Sequence, residues 1–135
     1  MKKDKIILDV TLSVLPEQLY SDWLNSNIHS KFTGGEAQIN DIINADYSAW
    51  DGYILGKNVL LETGKTIIQT WRTSEFDQND EDSILELLFE PIHKNHTKLT
   101  LIHSNIPSGE GEKYKQGWCE HYFTPMKSYY DNLKK

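Results

Sequence analysis

Residues 47–73 read "YSAWDGYILGKNVLLETGKTIIQTWRT", and this stretch decides how the chain folds. It divides into three short β-rich runs, with bends at Asp51-Gly52 and Thr63-Gly64. Asp-Gly suits the central positions of a tight hairpin, where backbone φ is positive, so Asp51-Gly52 reads as turn chemistry rather than a ligand contact. Gly56 and Gly64 read the same way, as a strand kink and a turn. Strands joined by so few residues pair with their neighbours in antiparallel fashion. Working outward, the predicted strands are 37–42, 46–50, 53–61, 66–73, 83–89 and 96–104. The first strand lies upstream in "KIILDVTLSV", where Ile6, Leu8, Val10, Leu12 and Val14 share one face and Ile7, Asp9, Thr11 and Ser13 the other. That period of two marks a half-buried strand. The sequence therefore predicts a seven-strand antiparallel sheet.

Between the first strand and the rest lies "LPEQLYSDWLNSNIHSKFTGG". Pro16 suits a first helical turn, and Leu19, Tyr20, Trp23 and Leu24 fall at helical spacing. A second short helix is predicted over 26–32, ending at Gly34-Gly35. The C-terminal segment "EGEKYKQGWCEHYFTPMKSYYDNLKK" gives a long amphipathic helix over 112–134. Tyr114, Trp118, Cys119, Tyr122, Met126, Tyr129, Tyr130 and Leu133 gather in one sector of the wheel, and Gln116, Glu120, His121, Thr124, Lys127, Asp131 and Lys134 fill the other. Pro125 removes a donor in its middle, which predicts a kink. The whole is an α+β helix-grip: a curved antiparallel β-sheet wrapped around a long C-terminal α-helix, with two short helices after the first strand, in one domain over 1–135.

At 135 residues the chain is long enough to bury a core of its own. A net charge of −6 and a single arginine, Arg72, give phosphate backbones nothing to hold, so nucleic acid is excluded as a partner. No apolar run approaches the ~20 residues of a membrane span, and no leader-like apolar core follows the N-terminus, so a cytoplasmic protein is expected. The single cysteine, Cys119, rules out an internal disulfide and reads as a small buried hydrophobe of the helix.

Three pieces, "FTGGEAQI", "YSAWDGYILGKNVLLETGKTIIQTWR" and "GWCEHYFTPMKSYY", together resemble homologues of the activator of the heat-shock protein 90 ATPase. The likeness is to the single-domain bacterial members of the START-like, Bet v-like superfamily, and runs from Ile7 to Tyr130. Its most specific parts are D-G-x-I-x-G-x-N at Asp51 to Asn58, Ile67 to Arg72, and Gly117 to Tyr130. The sequence departs from the pattern before Tyr47, where Asn44-Ala45-Asp46 stands in place of a Gly-Gly pair. The resemblance implies a heat-shock chaperone as partner. The larger eukaryotic activators carry a further N-terminal domain that shares in chaperone contact and has no counterpart in these 135 residues, so weak stimulation at most is implied.

Candidate site residues come from the helix–sheet interface. Trp71 and Arg72 are adjacent on one strand and point to opposite faces, which turns Trp71 inward, as core or as cavity wall. Arg72 has Glu62 as an acidic partner. Leu99, Leu101 and His103 share a face, so His103 is either a hydrogen-bonded histidine at the core edge or a polar group inside a cavity, able to orient a ligand or act as a general base. A dry, apolar ligand cavity lined by Trp71, Leu87, Leu101, His103, Trp118, Tyr122 and Met126 is expected beneath the helix, with the Pro125 bend as its gate. His93 and His96 lack further ligands at metal spacing, and no metal site or cofactor is expected. The "DQNDED" run at 77–82 lacks the glycine and terminal glutamate of a calcium loop and reads as a solvated charge run. No catalytic pair stands out. The leading functional reading is a non-enzymatic domain that binds a small apolar ligand. The alternative is a chaperone-binding module that stimulates a heat-shock protein 90 ATPase, and an enzyme of cyclase or hydrolase type comes third.

Overall fold

The computed structural model describes residues 3–133. Strand β1 (Asp4–Leu12) is followed by helices α1 (Pro16–Trp23) and α2 (Ser26–Thr33), then by β2 (Asp46–Ala49), β3 (Ile54–Glu62), β4 (Thr66–Thr73), β5 (Ser83–Pro91) and β6 (Thr97–Ile106). The chain closes with α3 (Gly111–Trp118), a π turn (Cys119–Phe123) and α4 (Thr124–Asn132). Lys134, the expected end of this helix, lies outside the described residues. The sheet is fully antiparallel, in the order β1-β6-β5-β4-β3-β2, so the first strand joins the last and both ends of the sheet are edges.

Alternation sets the core. On β4, Ile67, Gln69, Trp71 and Thr73 are buried, on β5 Ser83, Leu85, Leu87 and Phe89, and on β6 Thr97, Leu99, Leu101 and His103. Against this face lie α1, α2 and the C-terminal helix, with Tyr20 meeting Phe89 edge to face at 5.7 Å. Asn25 caps α2 by accepting from the Ile28 amide at 3.0 Å, and Gly34 ends it at φ 91°.

The sheet has six strands rather than seven. Residues 37–42 form no strand beyond one bridge, Gln38 to Ser48. Their backbone is claimed by side chains instead. Ser26 Oγ donates to the Ile39 carbonyl and accepts from its amide. The Asn58 amide donates to the Asn40 and Ile42 carbonyls at 2.8 and 3.0 Å. Asn58 itself is held by Gln69, whose Oε1 accepts from the Trp23 indole. This buried polar relay fixes the loop without a ladder. At the departure from the glycine pair, Asn44 takes φ 67°, a left-handed conformation that asparagine tolerates almost as glycine does.

The helix corrects the sequence reading twice. Its buried aromatics and Met126 recur every fourth residue: Tyr114, Trp118, Tyr122, Met126 and Tyr130. At ~100° per residue each such step overshoots by about 40°, so four steps on a plain α-helix drift through about 160°. The π turn absorbs that drift, because its wider loop turns less per residue. The Thr124 amide bonds the Cys119 carbonyl, and Pro125 then sits in the first turn of α4, where no donor is required. The irregularity expected as a proline kink is therefore a π turn placed just ahead of the proline. The same rephasing leaves Cys119 exposed rather than buried, and Leu133 is 64% exposed.

Arg72 corrects a third expectation. It pairs with Asp82 at 2.7 Å rather than Glu62, and also donates to the Asp77 and Asp80 carbonyls. The 77–82 run is thus wound around the one arginine. The half-exposed ion pair adds up to ~1 kcal/mol, while the carbonyl contacts give the loop its shape.

Candidate functional site

The interface between helix and sheet behaves differently along its length. Toward the C-terminus it is filled. Met126, Leu87 and Leu101 are each 0% exposed. Tyr130 donates to the Asp22 carboxylate at 2.6 Å, which also accepts from Gln18 at 2.7 Å. Toward the N-terminus of the helix lies a pocket of about 410 Å³, within the roughly 300–1,000 Å³ of small-molecule sites. The β2–β3 turn supplies Trp50, Tyr53 and Ile54 to it, β4 and the residues after it Trp71 and Glu75, and the helix Lys113, Tyr114, Gly117, Trp118, His121 and Tyr122.

Of the seven predicted cavity residues, Trp71, Trp118 and Tyr122 line this pocket. Leu87, Leu101 and Met126 belong to the filled interior. His103, 0% exposed, stands behind the wall, its ring 4.5 Å from Trp71 and 5.9 Å from Trp118. The other lining residues, Trp50, Tyr53 and Ile54 on one side and Glu75, Lys113, Tyr114, Gly117 and His121 on the other, were not among the seven. The one sequence signal for them is a tryptophan at a hairpin tip, where a polar residue would ordinarily serve.

Two buried hydrogen-bond chains hold the aromatic wall. The Trp118 indole can only donate, so it makes His103 Nδ1 an acceptor at 3.1 Å. The other ring nitrogen then donates to Ser83 Oγ at 2.8 Å, and Ser83 donates to the Trp71 carbonyl at 2.6 Å. In the second chain His29 Nδ1 donates to the Trp23 carbonyl at 2.8 Å, and its Nε2 accepts from the Tyr122 hydroxyl at 2.9 Å. Burial lowers the pKa of His29 to about 4 and of His103 to about 3, so both rings are neutral at physiological pH. Burial likewise raises the Tyr122 pKa far above its ordinary value. With both nitrogens of His103 engaged by the protein, no lone pair is left for a substrate.

The rim is charged and self-compensated. Lys113 reaches Glu75 at 2.9 Å and Glu110 at 2.7 Å, and Tyr53 donates to Glu75. Burial works to lower the Lys113 pKa, and the Glu110 and Glu75 carboxylates outweigh it, so the net shift is upward. The Lys113 bond also draws the Glu75 pKa below its usual value.

Trp50 is the anomaly. It sits at φ 52°, followed by Asp51 at 58° and Gly52 at 90°. A bulky residue in that region costs ~1–3 kcal/mol. Its ring lies over Gly35, where a Cβ would come within 2.5 Å, and stands edge-on to His121 at 5.7 Å. Its indole Nε1 is buried and has no partner, alone in this among the described residues. An orphaned donor costs a further ~1–3 kcal/mol.

Among the described residues no group of three His, Cys, Asp or Glu could hold a metal ion. No helix among them is long and apolar enough to cross a membrane.

The sequence matches a family model described as "Activator of Hsp90 ATPase homolog 1-like protein" over residues 13–131. It is 29% identical over 124 residues to the human "Activator of 90 kDa heat shock protein ATPase homolog 1", covering 91% of this chain and 36% of that protein. To the Dictyostelium discoideum "Activator of 90 kDa heat shock protein ATPase homolog" it is 28% identical over 103 residues, covering 76% of this chain and 27% of that one. The chain thus spans about a third of the length of the curated relatives it matches. A crystal structure of an HSP90 activator from Plasmodium falciparum superposes with a TM-score of 0.80 at 25% identity, covering 87% of this chain and 89% of that one. The helix-grip architecture is therefore that of known folds.

Proposed function

This chain belongs to the Activator of Hsp90 ATPase homolog 1-like family, and from that premise we propose that it is a non-enzymatic binding domain whose partner is a cytoplasmic heat-shock protein 90-type chaperone. The observation that carries the proposal is the family match across 13–131, supported by similarity to the human activator along 91% of the chain. Neutral histidines with both nitrogens bonded inside the protein favour binding over catalysis. The matched part is about a third of those relatives, so binding is expected of these residues and full stimulation is not. Calorimetric titration of the purified protein into the chaperone of the same cell, with the ATPase rate followed in parallel, tests this. Saturable binding with a small rise in rate is expected. No binding, or stimulation without saturable binding, overturns the proposal.

A second reading is favoured by a separate observation. The aromatic pocket beside α3, about 410 Å³, is of a size and composition that takes a small apolar molecule. The two readings do not exclude one another, and one protein can serve both.

A further inference from the structure

We propose that the outer face of the sheet, turned away from the helices, is a protein-docking surface, and that its partner presents an arginine or lysine standing among apolar side chains. The proposal rests on the reading of the chain as a chaperone-binding domain and assigns the surface through which it binds.

The alternation that buries one side of each strand turns the other side outward. Register then aligns one row across five strands. Ile7 on β1 opposes Ile102 on β6, which opposes Glu86 on β5, which opposes Ile68 on β4, which opposes Leu60 on β3. Along β5, the neighbours of Glu86 on the same face are Ile84 and Leu88. One carboxylate is thus ringed by four aliphatic side chains, all half-buried and none of them packed on the core. Ile7 at one end of the row is 60% exposed. At the other end, the register shift between Asn58 and Leu60 leaves Val59 48% and Leu60 37% exposed, side by side. Around Leu88 and Ile84 the flanking rows are polar, with Asp9, Thr100, Thr66 and Glu62 on one side and Ser104 and Thr70 on the other. A contiguous apolar centre inside a polar rim is the anatomy of a protein interface.

Glu86 selects the occupant. Among the described residues no lysine or arginine stands within ion-pair distance of it. Covered by a purely apolar surface, its carboxylate would lose water and gain nothing in return. A cation at that point on the partner forms a charge-assisted bond instead. A second copy docked about a two-fold axis through this centre would press one Glu86 against the other. Five strands ~4.8 Å apart and three rows ~6.8 Å apart cover roughly 19 by 14 Å between side-chain centres. That is well short of the ~800 Å² that each partner gives to a stable complex. A small face closed by one ion pair suits a different protein that binds and leaves.

The test is calorimetric titration of the heat-shock protein 90-type chaperone of the same cell with the parent, Glu86→Gln, Glu86→Arg, Ile7→Asn and Glu36→Arg. Glu36 is exposed in the loop after α2, beside the β2–β3 turn, and its reversal controls for net charge. All four positions are open to solvent, so circular dichroism and melting temperature should stay close to the parent's. Glu86→Gln should weaken binding about tenfold and Glu86→Arg about a hundredfold. Ile7→Asn should weaken it a few-fold, and Glu36→Arg should bind as the parent does. Added salt should weaken the parent more than Glu86→Gln. Absence of binding by the parent removes the chaperone reading and this proposal with it. Binding by the parent that survives undiminished in both Glu86 variants, or that Glu36→Arg weakens as much as Glu86→Arg, leaves the chaperone reading standing and overturns the assignment of this face. Should the charge reversal disturb the fold, Glu86→Gln, which keeps the side chain's size and shape, decides between the two.

Discussion

The two halves of the C-terminal helix rest on the same sheet and do opposite things. Past the π turn the interface is closed: Met126 and Tyr130 are buried, and Asp22, the one buried carboxylate among the described residues, is satisfied by Tyr130 and Gln18. From Lys113 to His121 it is open, faced with rings, and contains a donor without an acceptor. A filled interface obeys packing rules alone, whereas an open one bordered by backbone strain and an unpaired polar atom departs from them. The difference separates the part of the molecule that makes the fold from the part free to make contacts.

The contrast can be broken most directly from the closed side. Met126→Ala truncates a fully buried side chain and should destabilise by ~2–5 kcal/mol in urea unfolding. A loss below ~1 kcal/mol would mean that this half is as loosely filled as the other. The next effect comes from pH. His29 and His103 have folded pKa values near 4 and 3, below their unfolded values near 6.5. The unfolded chain therefore binds more protons across that interval, and stability falls as pH drops below ~6.5. The slope reaches roughly 1.4 kcal/mol per pH unit for each histidine, and is spent once pH has passed each folded value. Thermal unfolding between pH 7 and 5, where carboxylates contribute little, should show the decline, and His103→Gln should remove about half of it. The smallest effect sharpens the contrast on the open side. Gly117→Ala gains helix propensity and meets no neighbour, so it should stabilise by about 0.5–1 kcal/mol. The same change at Gly56, whose Cβ would stand 1.9 Å from the Thr70 carbonyl, is destabilising.

Much of the closed half was legible from spacing. Period-two runs located the inward faces of β1 and β6, β4 and β5 were found as strands, and the inward turn of Trp71 followed from its neighbour. The six-strand sheet was overcounted because residues 37–42 alternate like a strand, while the side chains that claim their backbone, Ser26 and Asn58, are far away in sequence. The phase of the helix was blurred because a wheel at constant pitch cannot represent a π turn. Of the site, Trp71, Trp118 and Tyr122 could be placed from their faces. Trp50 could not, since nothing local says that a tryptophan at a turn will fold back over a glycine fifteen positions earlier. Nor do single-strand patterns reveal that Leu87 and Leu101 lie fully buried away from the pocket, a matter of how far along the helix each strand crosses.

The turn at Cys119–Phe123 has a consequence for how such a chain can vary. It holds one residue more than regular pitch requires, like a slack link between two lengths of rod. Removing a residue there would draw the turn back to α pitch, and the ~100° lost with it would be nearly offset by the tighter winding of the residues that remain, so Met126 and Tyr130 would keep their face to the sheet. Within the turn itself His121 and Tyr122, which line the pocket, would be displaced, while Tyr114 and Trp118 ahead of it would keep their positions. The slack link is therefore a place where the wall of the pocket can lose a residue without disturbing the anchoring half beyond it.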